Sequence, residues 1–168
     1  MPLNVGILKL TQGETLKEYY YNRHVCQDAL IPIHKMKQGV EFFHENWECY
    51  PLWCVGHRVF KTEPQGMIKP SEEERKLDMG ESEMWMDIGA WYVPGPVWRQ
   101  EEYNGKECRK RFEEWLLQQG GVQCLYAISE MSRHQWRQMF NVGIYDHVRQ
   151  KYGSKSVFMD AYDKISRR

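Results

Sequence analysis

Asp87 is the side chain of this 168-residue chain whose setting best suits it to chemistry. It lies in MWMDIGAWYVPGPVW, residues 84–98, between Trp85 and Trp91. An ionisable group held among aromatics is a candidate functional carboxylate, because burial and particular neighbours change its proton affinity. The competing role is structural: an acid satisfied by a neighbouring strand or by an arginine. Cys49, Cys54 and His57 lie close together, and His24 and Cys26 are two apart, but neither group has the CxxC or HxxxH spacing of a zinc site, so no metal is expected. Cys26, Cys54, Cys108 and Cys124 read as small apolar residues, the commonest role of cysteine. There is no G-x-S-x-G, and the histidines are scattered; His34 and His44 flank a helix and belong to the surface. QQGG and GVQCLYA are not phosphate cradles, and no P-loop or dinucleotide turn is present. From its residues alone, the chain lacks a complete catalytic apparatus.

The elements that must position Asp87 follow from periodicity. In the 84–98 stretch Met84, Met86, Ile88 and Ala90 point one way, and Trp85, Asp87, Gly89 and Trp91 the other. The first set is a core face, with Met86 toward helices; the second is too aromatic for a plain solvent face. Pro94 and Pro96 stop the strand. Strands are also expected over residues 24–33, 50–60 and 122–128. Met36, Val40, Phe43 and Trp47 mark one helix face. Cys108, Phe112, Trp115 and Leu116 mark another, with Arg and Glu on its far side and Gly120-Gly121 at its end. Thr15 with Glu18 and Ser132 with Gln135 have capping-box spacing. The order is strand, helix, strand, strand, helix, strand. That predicts an α+β, ferredoxin-like four-stranded antiparallel sheet with two helices on one face.

The expected division is a lead-in segment over residues 1–22, a ferredoxin-like unit over 23–130 and a C-terminal helical segment over 131–168. Within the last, Trp136, Met139 and Phe140 follow a cap, a helix runs from Ile144 to Tyr152, and Phe158, Tyr162 and Ile165 mark the tail. The polar stretch from Lys61 to about Ser82 is long for a loop, so it is mobile or functional. Two outcomes are open for the second face of the sheet: it is a binding patch, or the C-terminal helices fold over it.

Composition sets the remaining limits. Formal net charge is zero, with neither a basic stripe for nucleic acid nor a polybasic cluster for anionic lipid. Hydrophobic residues make up 42% and aromatics 14%, which excludes a disordered chain. No run approaches the ~20 apolar residues that span a bilayer. MPLNVGILKL has neither the basic nor the apolar region of a secretory signal, so the five cysteines are expected as thiols.

Several stretches go further. ILKLTQGETL (7–16) is similar to LLKLTQGETL of the FAD-dependent seladin/diminuto family of Delta(24)-sterol reductases. VCQDALIPI (25–33) resembles the family's VQDMLVPM, MWMDIGAWYV (84–93) its YIDIGAYG, and CLYAISEM (124–131) its MLYADCYM. The closing YDKI stands here as Tyr162 to Ile165. The likeness runs through nearly the whole chain, in order, and matches the last third or so of a family member. It implies an oxidoreductase that saturates a sterol side-chain double bond, of the desmosterol-to-cholesterol type, with FAD and NADPH. It also implies the cap of a vanillyl-alcohol-oxidase-type flavoprotein, whose sheet roofs the substrate. The FAD-binding domain and the N-terminal membrane segment would lie upstream, so no cofactor is expected to stay on this piece and the piece alone is expected to be inactive. Its partners would be the sterol and the FAD-binding domain, without nucleic acid. Its place would be the cytosolic face of the endoplasmic reticulum membrane, held there only by the missing N-terminal segment. The resemblance carries Asp87, Ile88 and Gly89 over directly; the family has Tyr where Trp91 stands and a smaller residue where Trp85 stands. Trp85, Asp87, Trp91 and Tyr126 are then the candidate substrate-lining residues, and no catalytic or cofactor-binding residue is identified. The alternative is a non-catalytic truncated binding module.

Overall fold

The computed structural model describes residues 13–68, 70 and 82–166. The ILKLTQGETL match at 7–12, most of the 69–81 segment and the last two residues lie outside them. The elements run α1 (Glu14–Asn22), β1 (Gln27–Pro32), α2 (Met36–Trp47), β2 (Trp53–Phe60), β3 (Ser82–Ala90), α3 (Gly95–Trp98), α4 (Gly105–Gln119) and β4 (Val122–Gln123). Then come α5 (Arg133–Met139), α6 (Val142–Lys151) and α7 (Ala161–Ser166). The sheet order is β2-β3-β1-β4, all neighbours antiparallel, the split arrangement expected of two strand-helix-strand units. The fold is α+β, as the pattern predicts.

One face of the sheet packs on α2 and α4. Phe43, Trp47 and Phe112 meet with ring centroids 5.0 to 5.7 Å apart, and all are fully buried. Burying such a ring contributes on the order of 4–6 kcal/mol of transfer free energy, before entropy is counted. Gly39 marks where α2 crosses the sheet: a Cβ there would come within 2.6 Å of Ile88 and 2.7 Å of Ile31. A helix-weakening glycine is thus the residue that allows close packing. Lys35 Nζ donates to the Gln119 carbonyl at 2.7 Å and Asn46 Nδ2 to the Cys108 carbonyl at 3.0 Å, which ties the two helices together.

The structure departs from the sequence reading in four places. Thr15 caps nothing: α1 starts at Glu14 after Gly13, without a side-chain cap. The fourth strand is only Val122–Gln123, because the chain turns at once, with Ala127 N–H donating to the Cys124 carbonyl at 3.2 Å. Arg109 and Glu113 of α4 are buried rather than on an outer face. Glu113 accepts the Glu130 N–H at 2.9 Å and Arg109 pairs with Glu130 at 2.7 Å, so they clamp the chain leading into the C-terminal segment. Phe158, expected to pack, is exposed.

Two expectations hold: Gly120 ends α4 with φ +66°, and Ser132 and Gln135 form a complete capping box. The structure adds a cap at the start of α4, where Asn104 accepts from Glu107 N–H. The C-terminal segment shares the core of the sheet unit: Trp136, Met139, Tyr162 and Ile165 belong to one buried cluster with Phe43 and Ile88. Part of the 61–82 stretch is docked there too, since Asn141 N–H donates to the Met67 carbonyl at 2.9 Å.

The second face of the sheet therefore divides. Trp85 is only 2% exposed and borders one cavity with Met67, Ile68, Pro70, Val122 and Met139. Met86 points toward the helices but is half-buried. Trp85→Ala is expected to cost about 3–5 kcal/mol, the usual range for deleting a buried aromatic, and Met86→Ala less. Urea denaturation of both variants measures the order.

Candidate functional site

The open half of the second face is built by three strands. The β1–β3 register sets Asp28 opposite Gly89 and Leu30 opposite Asp87. Asp28 and Asp87 are thus diagonal neighbours on one face, within reach of each other. On the far side of β3, Trp53 lies opposite Gly89 and Val55 opposite Asp87. Cys124 follows β4, with its N–H directed at the Asp28 carbonyl. Gly89 has no side chain, and this makes room for the Asp28 carboxylate: a Cβ there would lie 2.2 Å from Asp28 Oδ1.

The result is a recess with acids at its floor and aromatics at its rim. Asp28 is 2% exposed and Asp87 half-buried, whereas Trp53 is 52% and Trp91 43% exposed. The two rim rings stand 5.6 Å apart, tilted by 37°. Asp28 Oδ1 and Asp87 Oδ1 are buried and make no hydrogen bond among the described residues. His57 Nε2 lies 3.8 Å from Asp87 Oδ2, at the limit of an ion pair. Burial, then the charge of Asp87, pushes Asp28 up to about 7, with a hydrogen bond from Trp91 pulling back. Burial also raises Asp87, against the opposing influence of His57. Burial and the two carboxylates push the Cys124 thiol up to about 12.

Asp28, Asp87 and Cys124 offer donor atoms within 4.8 Å of one another. A closed structural zinc site has four protein ligands, and this set offers three. The charge of the recess is also wrong for a dinucleotide: two carboxyl groups do not cradle a pyrophosphate, which seeks N–H groups and cations.

Among the sequence candidates, the structure brings Asp87 and Trp91 together at the recess. It buries Trp85 on the same face, and it sets Tyr126 on an exposed turn. Tyr126 borders a different cavity, with Tyr21, Cys26 and Arg109. Sequence reasoning missed Asp28, Trp53 and the placement of Cys124. Asp28 carries the signal that singles out Asp87: an acid in an apolar strand, QDALIP. Trp53 has no such signal, because β2 is exposed along most of its length. No helix among the described residues is long and apolar enough to cross a membrane.

Comparison with known proteins adds a lineage. The chain is 39% identical over 98% of its length to "Delta(24)-sterol reductase" of Arabidopsis thaliana, 37% over 99% to that of Pisum sativum and 32% over 98% to that of Homo sapiens. It spans about 30% of the length of each of these relatives. No family model matches the chain. No solved structure matches it.

The acid pair predicts a direction for stability against pH. Asp28 has its folded pKa raised from 3.8 to about 7, so its contribution is full below pH 4 and is lost as pH rises through 7. Glu113, raised to about 7 by burial, acts in the same window. Stability should fall between pH 4.5 and 7.5 by roughly 1–4 kcal/mol, and Asp28→Asn should flatten part of that slope. Denaturant midpoints across the range measure both. Gly89→Ala should displace the Asp28 carboxyl and remove the same part of the slope.

Proposed function

Because this chain belongs to the Delta(24)-sterol reductase family, we propose that it is the substrate-side cap of a reductase that saturates the side-chain double bond of a sterol. The open recess carries this reading: two exposed indoles beside a pair of poorly solvated acids, on a sheet whose other face is core. A flat apolar ring system loses water against Trp53 and Trp91, and the remainder of the recess fixes one end of it. Such binding needs few polar groups and no charge, and the recess offers little else. FAD and NADPH are the partners that the family suggests. The recess acids do not fit a flavin pyrophosphate, so we assign the flavin to a domain outside this chain, together with attachment to the endoplasmic reticulum membrane. When bound, that cofactor supplies the hydride; this chain's residues orient the sterol, exclude water and hold a proton.

A second reading is a non-catalytic binding module. The exposed edge strand favours it, since β2 is the outermost strand of the sheet among the described residues and presents Trp53 and Phe60 to solvent, a surface on which a partner or a full-length copy could dock. In the first reading the same surface is covered by the rest of the reductase.

The test is a hybrid in which this chain replaces the matching stretch of the Arabidopsis thaliana relative. The hybrid is expected to reduce desmosterol. Trp53→Ala and Trp91→Ala should each raise KM roughly 5- to 20-fold, worth about 1–2 kcal/mol of stacking, with smaller changes in kcat. A hybrid that folds, binds flavin and leaves desmosterol unreduced favours the binding module. The isolated chain should carry no flavin absorbance after gel filtration.

A further inference from the structure

We propose that Asp28 and Asp87 hold one proton between them and that Asp87, the member nearer the opening, delivers it to the sterol side-chain carbon. The inference rests on the substrate-cap reading and names the acid that this reading lacks. Its geometry is specific. Two carboxyl groups come within 4.8 Å of each other through diagonal positions on β1 and β3. One oxygen of each is buried and without a hydrogen bond among the described residues, and Asp28 as a whole is 2% exposed. Two carboxylates so close in a poorly solvated recess cannot both stay charged, because each destabilises the other's anion. A single proton relieves that repulsion, and closing the remaining gap, 4.8 Å at most, lets one carboxyl donate to the other's open oxygen. Such a pair titrates as a unit.

The surroundings are arranged to keep that proton without neutralising it. His57, 3.8 Å from Asp87 on the β2 side, favours the anion on Asp87. Cys124 from the end of β4, Cys26 from the approach to β1 and Cys54 from β2 are thiols whose own ionisation is opposed by burial first and then by the acids. Trp91 touches Asp28 from the end of β3. Asp28 therefore acts as the positioning residue: its carboxyl keeps the shared proton on the pair at neutral pH. Asp87 is the catalytic acid. The π pair of the trisubstituted side-chain double bond forms a C–H bond at one carbon with the proton of Asp87, whose O–H bond breaks. The other carbon, left electron-poor, accepts a hydride from a donor of the dihydroflavin class outside this chain. The pair is left with two negative charges and regains its proton from water by way of His57.

Two measurements test this. In the chain itself, with 13C-labelled aspartate, NMR should show two carboxyl signals that titrate together in two steps, the upper one near neutrality. Asp28→Asn should abolish the upper step. In the hybrid reductase, Asp87→Asn should lower kcat more than 100-fold, with sterol KM within about threefold. Asp28→Asn should move the alkaline fall of the pH–rate profile down by at least one pH unit, and Asp28→Glu should restore most of it. Ordinary, independent titration of both aspartates near pH 4 overturns the shared proton. Collapse of both signals on micromolar Zn²⁺, with loss of the Cys124 proton, makes the recess a metal site and overturns it as well. An active hybrid indifferent to Asp87→Asn overturns the donor alone. A folded hybrid that is inactive with both aspartates in place overturns the cap reading and the donor with it, whatever the NMR shows.

Discussion

The antiparallel register of β1 with β3 is the constraint on which the rest depends. It pairs Gln27 with Ala90 through Pro32 with Trp85. That single alignment puts Ile31 and Ile88 against α2 at Gly39 and sets Asp28 over the one residue, Gly89, that leaves space for its carboxyl. A slip of β1 by one residue would send Ala29 and Ile31 to the open face and Asp28 into the helices. The apolar transfer energy of the core and the desolvation cost of a carboxyl oppose that slip together. The site is therefore held by the same pairing that makes the core.

The two faces of the sheet are finished by different means. The helix face closes early in the chain, through aromatic packing among Phe43, Trp47 and Phe112. The other face is closed only in part, by α5 and the docked residues before 70, which bury Trp85 and Val122 and stop short of Asp87. The clamp of Arg109 and Glu113 on residues 129–131 determines how far that cover reaches. Buried charges that look wasteful on a helix thereby set the boundary between core and recess. They cost desolvation, and they are tolerated because Glu113 accepts two backbone contacts from Glu130 N–H and Arg109 meets both Glu130 and the Tyr21 carbonyl.

A recess of this kind suits the proposed handling of an apolar substrate at one reactive end. Its rim gives area and little direction; its floor gives two acids, with His57 3.8 Å from Asp87. The chain spans about 30% of its relatives' length, and β2 is exposed along nearly its whole length.

The sequence by itself determined the α+β class, the strand and helix order, the two faces of β3, and the place of Asp87 among aromatics. Those follow from local periodicity and capping, which depend on neighbours within a turn or two: Ser132 with Gln135, Met84 alternating with Trp85. The motif likeness pointed to a family that the comparisons support. The tertiary structure alone decided that Trp85 is core while Trp91 is rim. Both alternate identically along the strand and differ only in what a distant segment lays over them. It alone decided that Asp28, some sixty residues earlier, shares the recess with Asp87, and that Arg109 and Glu113 turn inward. Burial and proton affinity are set by contacts remote in sequence, and no short pattern of residues encodes which remote partner arrives.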